Sequence, residues 1–557
     1  MDRTILLLTI FWTAFAFNLV DGDSGNPVVS TRFGLLMGSV TRVKGTERLI
    51  HQYLGIPFAK PPLGPLRFSA PQPPEPWTGV QDATQQPAVC LQNVDIMLKL
   101  IEDLKITSPK PAVSEDCLYL NIYTPAEAGR ESRLPVMIWI HGGGFIFGGA
   151  VQYDGSALAA YENVVVVVIQ YRLGIMGFFS TGDDHSPGNW GLLDQLASLQ
   201  WIQENINNFG GDPNSVTIFG ESAGGCSVSA LIFSPLSRGL FHKAISESGV
   251  LFFPGVLTKD VKQNNKVLAN VTACDDTDSA LFVACMRQKT GNAINELSTL
   301  HFHHTLITID GTVLPRPIEE LIKEKQFQQI PYLLGVTNNE FGWLLANFAF
   351  PPGWHEGIDR ETVTNILSSI PQVGDQKKNI FIADEYFGDT EDPETIRDGL
   401  TEMFGDVVIV KPTLFAASLH RDAGLPVYLY EFSHRPSVYG DSRPNFVKAD
   451  HADEIGFVFG GCFWDGHLKF NGSLMEEENQ LCRTVMSYWA NFARNGDPNG
   501  AGLLQWPVYD TSEKYMVLNL KQSIGRKLKE TRMEFLTKTL PEKLEKLKLP
   551  NEGHGEL

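Results

Sequence analysis

Gly220-Glu221-Ser222-Ala223-Gly224 is the stretch whose reading decides the fold. It stands after a run of strand formers, Ser215-Val216-Thr217-Ile218-Phe219, and before a small-residue run compatible with a helix, Gly225-Cys226-Ser227-Val228-Ser229-Ala230-Leu231. A bare G-x-S-x-G means little in a chain with 51 glycines. Between a strand and a helix it reads as a nucleophile elbow. The flanking glycines let the backbone turn sharply and lift the Ser222 hydroxyl above the end of a sheet.

A second motif has the same setting. His141-Gly142-Gly143-Gly144 follows an apolar strand, Leu134-Pro135-Val136-Met137-Ile138-Trp139-Ile140. Successive glycines after a strand bring backbone N–H groups close to a ligand atom, as an oxyanion hole requires. The expected donors are the N–H groups of Gly142, Gly143 and Ala223. A flexible turn is the plain alternative. A phosphate loop is excluded, because neither GxxxxGK[ST] nor a well-placed GxGxxG occurs.

A nucleophilic serine needs a base, and the base needs an orienting carboxylate. In the α/β-hydrolase arrangement these follow the serine in the order acid, then histidine. The chain has 13 histidines, so position must choose. Pro331-Tyr332-Leu333-Leu334-Gly335-Val336 reads as a buried strand, with Thr337-Asn338-Asn339-Glu340 at its carboxyl end. Open α/β sheets carry their sites at that end, which favours Glu340 as the acid. The alternative is a solvated helix N-terminus leading into Phe341-Gly342-Trp343. Beyond another strand, Val427-Tyr428-Leu429-Tyr430-Glu431-Phe432, the segment Lys448-Ala449-Asp450-His451-Ala452-Asp453-Glu454 offers His451 as the base.

The chain resembles the type-B carboxylesterases, the family that also contains the cholinesterases, over essentially all of its mature length. The likeness rests on Phe58-Ala59-Lys60-Pro61-Pro62-Leu63-Gly64, Ser114-Glu115-Asp116-Cys117-Leu118-Tyr119-Leu120, the two glycine motifs above, and Gly188-Asn189-Trp190-Gly191-Leu192-Leu193-Asp194-Gln195. Within the family it is most similar to vertebrate carboxylesterase 2, through Val164 to Tyr171, Phe178 to Asp183 and Tyr488 to Gly496. The resemblance implies a serine esterase with Glu340 and His451 completing the triad. It further implies a buried polar shell of Glu221, Ser248 and Glu454, with solvent-facing acids as the alternative. Disulfides Cys90–Cys117 and Cys274–Cys285 are implied in the same way. That leaves Cys226, Cys462 and Cys482, of which Cys226 is expected to be a small buried hydrophobe. Ala452 departs from the glycine usual after the histidine, and its small size suggests no consequence. Carboxylesterase 2 implies small acyl groups on bulky alcohols, with some amide and acylglycerol hydrolysis, and no cofactor or metal. The alternatives are a non-catalytic adhesion module of this fold, or a cholinesterase or acylglycerol lipase.

An apolar gorge is expected around the triad, drawing on Phe145, Phe147, Phe341, Trp343, Phe457 and Phe459. Residues 1–22 read as a secretory signal peptide, with an apolar core that includes Ile5-Leu6-Leu7-Leu8. The final His554-Gly555-Glu556-Leu557 resembles a receptor-read retention address of the endoplasmic reticulum, imperfect at Gly555. Family members end in H-x-E-L. The expected location is therefore the lumen of that compartment, with secretion as the alternative. Asn270 and Asn471 head glycosylation sequons. No later continuous run reaches the ~18 apolar residues of a membrane span.

Although 557 residues could make several domains, no flexible linker or repeat divides them. Strand-like and helical runs alternate, which predicts one α/β unit over 23–553 around a large, mostly parallel sheet. Insertions near 260–330 and 350–425 are expected to form a helical cap, and a last helix is expected over about Ile524 to Leu547. A monomer is favoured. A net charge of −19 and the lack of a basic patch oppose nucleic-acid binding. His301-Phe302-His303-His304 has no ligand companion at zinc spacing and reads as a loop.

Overall fold

Beta-branched and aromatic runs between glycine-rich turns build an eleven-stranded sheet. In chain order its strands are β1 (Ser39–Thr41), β2 (Ile50–Pro57), β3 (Tyr119–Pro125), β4 (Leu134–Ile140), β5 (Val165–Ile169), β6 (Gly211–Glu221), β7 (Lys243–Glu247), β8 (Tyr332–Thr337), β9 (Val427–Phe432), β10 (Lys514–Leu518) and β11 (Ser523–Arg526). They lie in the order β11-β10-β9-β8-β7-β6-β4-β5-β3-β2-β1. The strands from β10 across to β5 run parallel, and both flanks are antiparallel. The computed structural model describes residues 25–258, 261–300, 307–369, 376–472 and 474–548. The expected signal peptide, the His301–His304 cluster, Ser473 and the His554–Leu557 tail lie outside them.

Every residue of β5 is buried, because helices cover both faces of the sheet. Val165, Val167 and Ile169 enter one core, and Val166 and Val168 the other. This two-sided burial explains why the strand reads as an unbroken apolar run. Trp139 in β4 sits edge-on to Phe219 in β6 and to Phe459 beneath the sheet.

Four helices bear on the site: α1 (Val94–Asp103), α2 (Ala223–Phe233), the long α3 (Pro393–Asp422) and α4 (Glu476–Asn495). By length and average hydropathy, α3 alone among the described helices could cross a bilayer. However, 61% of its apolar window is buried inside the protein, where it packs on β8 and β9 as a core helix. Helices Val261–Thr272, Ser279–Gln288, Gly291–Leu300 and Ile318–Lys323 occupy the first expected insertion. Arg360–Ser369, Gln376–Phe387 and α3 occupy the second.

The expected C-terminal helix begins later than its apolar spacing suggests. Ile524 belongs to β11, and helical structure starts at Glu530. The alternating edge-strand pattern overrides helical periodicity there, because β10 offers an unpaired edge.

Cys90–Cys117 and Cys274–Cys285 are disulfide-linked, and Cys226 is free and buried. A third bridge, Cys462–Cys482, joins two cysteines to which the sequence assigns no partner. Nothing local announces it, since folding alone brings the segment after His451 against α4.

Candidate active site

Ser222 closes β6 and caps α2 with φ 55° and ψ −122°, a conformation that a residue with a Cβ adopts only under constraint. The constraint is close packing. A Cβ on Gly220 would lie 2.5 Å from the Ile140 carbonyl oxygen, and one on Gly224 only 1.9 Å from it. The Ser222 N–H is held by the Glu247 carbonyl at 2.9 Å. Opposite the elbow, a Cβ on Gly142 would meet the Glu221 carbonyl oxygen at 2.7 Å. The N–H groups of Gly142, Gly143 and Ala223 therefore stand beside Ser222, and none has an acceptor among the described residues. Three unused donors beside a strained serine suit an oxygen that develops negative charge.

The other two expected residues converge on the same place. Glu340 follows β8, and its Oε2 lies 2.6 Å from His451 Nδ1. Its Oε1 accepts from the Thr337 N–H and the Ser248 hydroxyl, both at 2.7 Å. The two loops are tied together. Asn338 and Asn339 side chains accept from the Ala449 and Lys448 N–H groups, and the Asp450 carboxylate accepts from those of Trp343 and Leu344. Arg443 and the Tyr439 hydroxyl hold Asp453, which in turn accepts from the Asp450 N–H.

His451 Nε2 lies 2.9 Å from Glu221 Oε1. The approach is out of line, so neither atom makes a hydrogen bond. Nε2 is thus buried without a hydrogen-bond partner, in a ring that lines the same cavity as Ser222. Burial works against the imidazolium, but the charges of Glu221 and Glu340 outweigh it and hold His451 well above its ordinary pKa.

Ser222, His451 and Glu221 open into a cavity of about 420 Å³. Ile96 and Leu100 of α1 with Leu104 just past its end form one wall, Leu344 and Phe348 a second, and Tyr439, Phe457 and Trp464 a third. Of the aromatics expected in a gorge, Phe147 and Phe457 line it. Phe145, Phe341 and Phe459 are buried in packing instead, against Phe178, Phe404 and Trp139. Trp343 stacks near Trp354 and is not part of the wall.

A profile of the Carboxylesterase family matches residues 25–536. The chain belongs to that family. Three similar relatives agree with it. The chain is 48% identical over 545 residues to "Cocaine esterase" of Homo sapiens, covering 96% of this chain and 95% of the relative. It is 47% identical over 540 residues to "Acylcarnitine hydrolase" of Mus musculus, with 96% and 95% covered. It is 49% identical over 549 residues to "Fatty acyl-CoA hydrolase precursor, medium chain" of Anas platyrhynchos, with 96% of each covered. The fold is accordingly that of the α/β-hydrolases, and the chain is a carboxylic ester hydrolase.

In this esterase the acids beside Ser222 and His451 do not face solvent. Glu221 is 4% exposed and Glu454 is fully buried. Glu454 Oε1 receives only long contacts from Ser248 and Tyr430 hydroxyls, at 3.5 and 3.4 Å. Sequence reasoning passed over Glu247, a fourth buried acid at the end of β7 whose Oε1 accepts from Trp489 Nε1 at 2.7 Å. An acid closing the apolar run Lys243-Ala244-Ile245-Ser246 was the available signal. It also missed the α1 wall, signalled by Ile96, Leu100 and Leu104 at helical spacing inside the Cys90–Cys117 loop.

Asn270 and Asn471 are both exposed. Asn270 lies on the helix Val261–Thr272, and Asn471 follows a two-residue strand, accepting from the Thr107 hydroxyl.

Proposed function

We propose that this esterase works through an acyl-enzyme on Ser222. The observation that carries the reading is that one cavity is lined by Ser222, by His451 with Glu340 behind it, and by Gly142 and Gly143, whose N–H groups have no acceptor among the described residues. Ser222 Oγ attacks the ester carbonyl as His451 Nε2 takes its proton. The carbonyl oxygen becomes an oxyanion among the N–H groups of Gly142, Gly143 and Ala223, each worth roughly 3–4 kcal/mol in comparable sites. Glu340 keeps the Nδ1 proton in place and stabilises the imidazolium without taking the proton. Collapse of the intermediate breaks the C–O bond to the alcohol, which leaves with the proton from His451. Water then adds to the acyl-enzyme by the same route, releasing the acid and restoring Ser222.

The apolar walls support esters with a bulky uncharged alcohol and a small acyl group, with amides and acylglycerols as further substrates. The relatives' printed names, for cocaine, acylcarnitine and fatty acyl-CoA, support hydrolysis of ester and thioester bonds in general. A purely adhesive role finds no support in a site so assembled. Three disulfides support an oxidising compartment. With the expected signal peptide and the HGEL tail, they favour retention in the endoplasmic reticulum through a tail receptor, and glycosylation at the exposed Asn270 and Asn471.

The test pairs two esters, one with a small acyl group on a bulky alcohol and one with the reverse. Ser222→Ala is expected to lower kcat on both by a factor on the order of 10⁴–10⁶ with the fold intact. Activity near wild type in that variant would end the acyl-enzyme reading. A higher kcat/KM for the reverse ester would keep the triad and overturn the substrate preference.

A further inference from the structure

Glu247 and Glu221 are register partners on the parallel strands β7 and β6. Neighbouring strands lie only ~4.8 Å apart, so the two carboxyl groups share one buried face. Like charges so close in a low-dielectric interior cannot both form. The groups facing them are Glu340 and Ser248 from the loops after β8 and β7, Tyr430 from β9, Trp489 from α4, the Cys226 thiol of α2, Tyr153, Glu454 and His451. Among the described residues only His451 in this group can carry positive charge.

Hydrogen bonds and one close contact with His451 distinguish the acids. Glu340 accepts from two protein donors and from His451. Glu221 lies against His451 Nε2. Glu247 has one donor, the Trp489 indole on Oε1, while its Oε2 is buried without a partner. Glu221 Oε1 and Glu454 Oε2 are likewise buried without partners. Three such oxygens in one cluster are untenable as three bare acceptors, and a proton on one supplies the missing donor.

We propose that Glu247 is a neutral carboxylic acid at neutral pH, a positioning residue whose O–H orients the Glu221 carboxylate, directly or through an enclosed water. Burial pushes Glu247 up to about 8, with the Glu221 charge adding to it and the Trp489 N–H opposing it. Burial, with the charges of Glu247, Glu221 and Glu340, pushes the Glu454 carboxyl well above the usual carboxylate range as well, so a neutral Glu247 limits the charge beside His451 to that of Glu221 and Glu340. This role rests on His451 being the base, as proposed above.

The experiment compares Glu247→Gln and Glu247→Leu in the full chain. Gln keeps an N–H donor and no charge. It should hold kcat/KM within about threefold of wild type and leave the acid limb of the pH profile in place, while Leu loses about tenfold, the worth of one hydrogen bond to a charged group. Infrared difference spectra of Ser222→Ala, read without turnover, should show a protonated-carboxyl component that fades as pH passes about 8 and is lost in Ser222→Ala/Glu247→Gln, while the band of Glu454, held higher, stays. An acid limb that moves to lower pH in Glu247→Gln, or a band unchanged by that substitution, would overturn the proposal. Failure of the triad reading shows separately, as activity surviving in Ser222→Ala.

Discussion

His451 is held between two carboxylates, and its chemistry follows from that placement. As the proposed base it must be free of its proton, yet Glu221 and Glu340 stabilise the protonated ring. Removing one anion should release the proton more readily. Glu221→Gln is therefore expected to move the acid limb of kcat/KM to lower pH, measured with an uncharged ester. A limb that stays or moves to higher pH would contradict the electrostatic account. The stability sign agrees. A histidine whose folded pKa is raised stabilises the fold fully below its unfolded value, near 6.5, and loses that contribution as pH rises through the folded value. Glu221→Gln should accordingly cost more stability at pH 5 than at pH 9. The neighbouring Ala452 is a second residue-level feature. Its φ of 72° lies in the left-handed region, where a Cβ costs about 1 kcal/mol. The substitution that looks harmless by size is therefore strained by backbone, and Ala452→Gly should stabilise the protein by about 1 kcal/mol in equilibrium unfolding.

At the scale of elements, the elbow shows how strand, turn and helix constrain one another. β4, β6 and α2 approach so closely that Gly224 faces the Ile140 carbonyl with no room for a methyl group. Gly224→Ala is expected to cost about 3 kcal/mol by overpacking and to impair turnover, because the shift would fall on Ser222 and the Ala223 N–H. Unchanged stability by denaturant titration would mean that the turn relaxes freely. This element was legible in the sequence, because its strand, glycines and helix are consecutive. Glu340 and His451 were legible in part. Each follows a recognisable strand, but only the resemblance to a family selected His451 from 13 histidines. Their union depends on contacts such as Asp450 with the N–H groups of Trp343 and Leu344, residues more than a hundred positions away. Glu247 was illegible as a member of the site, because its meaning comes from sideways pairing with Glu221 across two strands.

Across the whole molecule, the third disulfide is the clearest product of long-range folding. Cys462–Cys482 spans 20 residues and ties the chain following His451 to α4. Replacing both cysteines by serine should lower stability by about 3 kcal/mol on the loop-entropy model, measured by unfolding without reductant. No change would show that α4 already holds that segment by packing. Sequence alone determined the class of fold, the serine at its elbow and the glycine donors opposite it, because periodicity and turn chemistry act over neighbouring residues. Tertiary structure alone decided the pairing of Cys462 with Cys482, the cavity wall drawn from α1, the strain at Ala452 and the company of buried acids around His451. These arise where segments distant in the chain are forced together, and burial then fixes which carboxyl groups keep their protons.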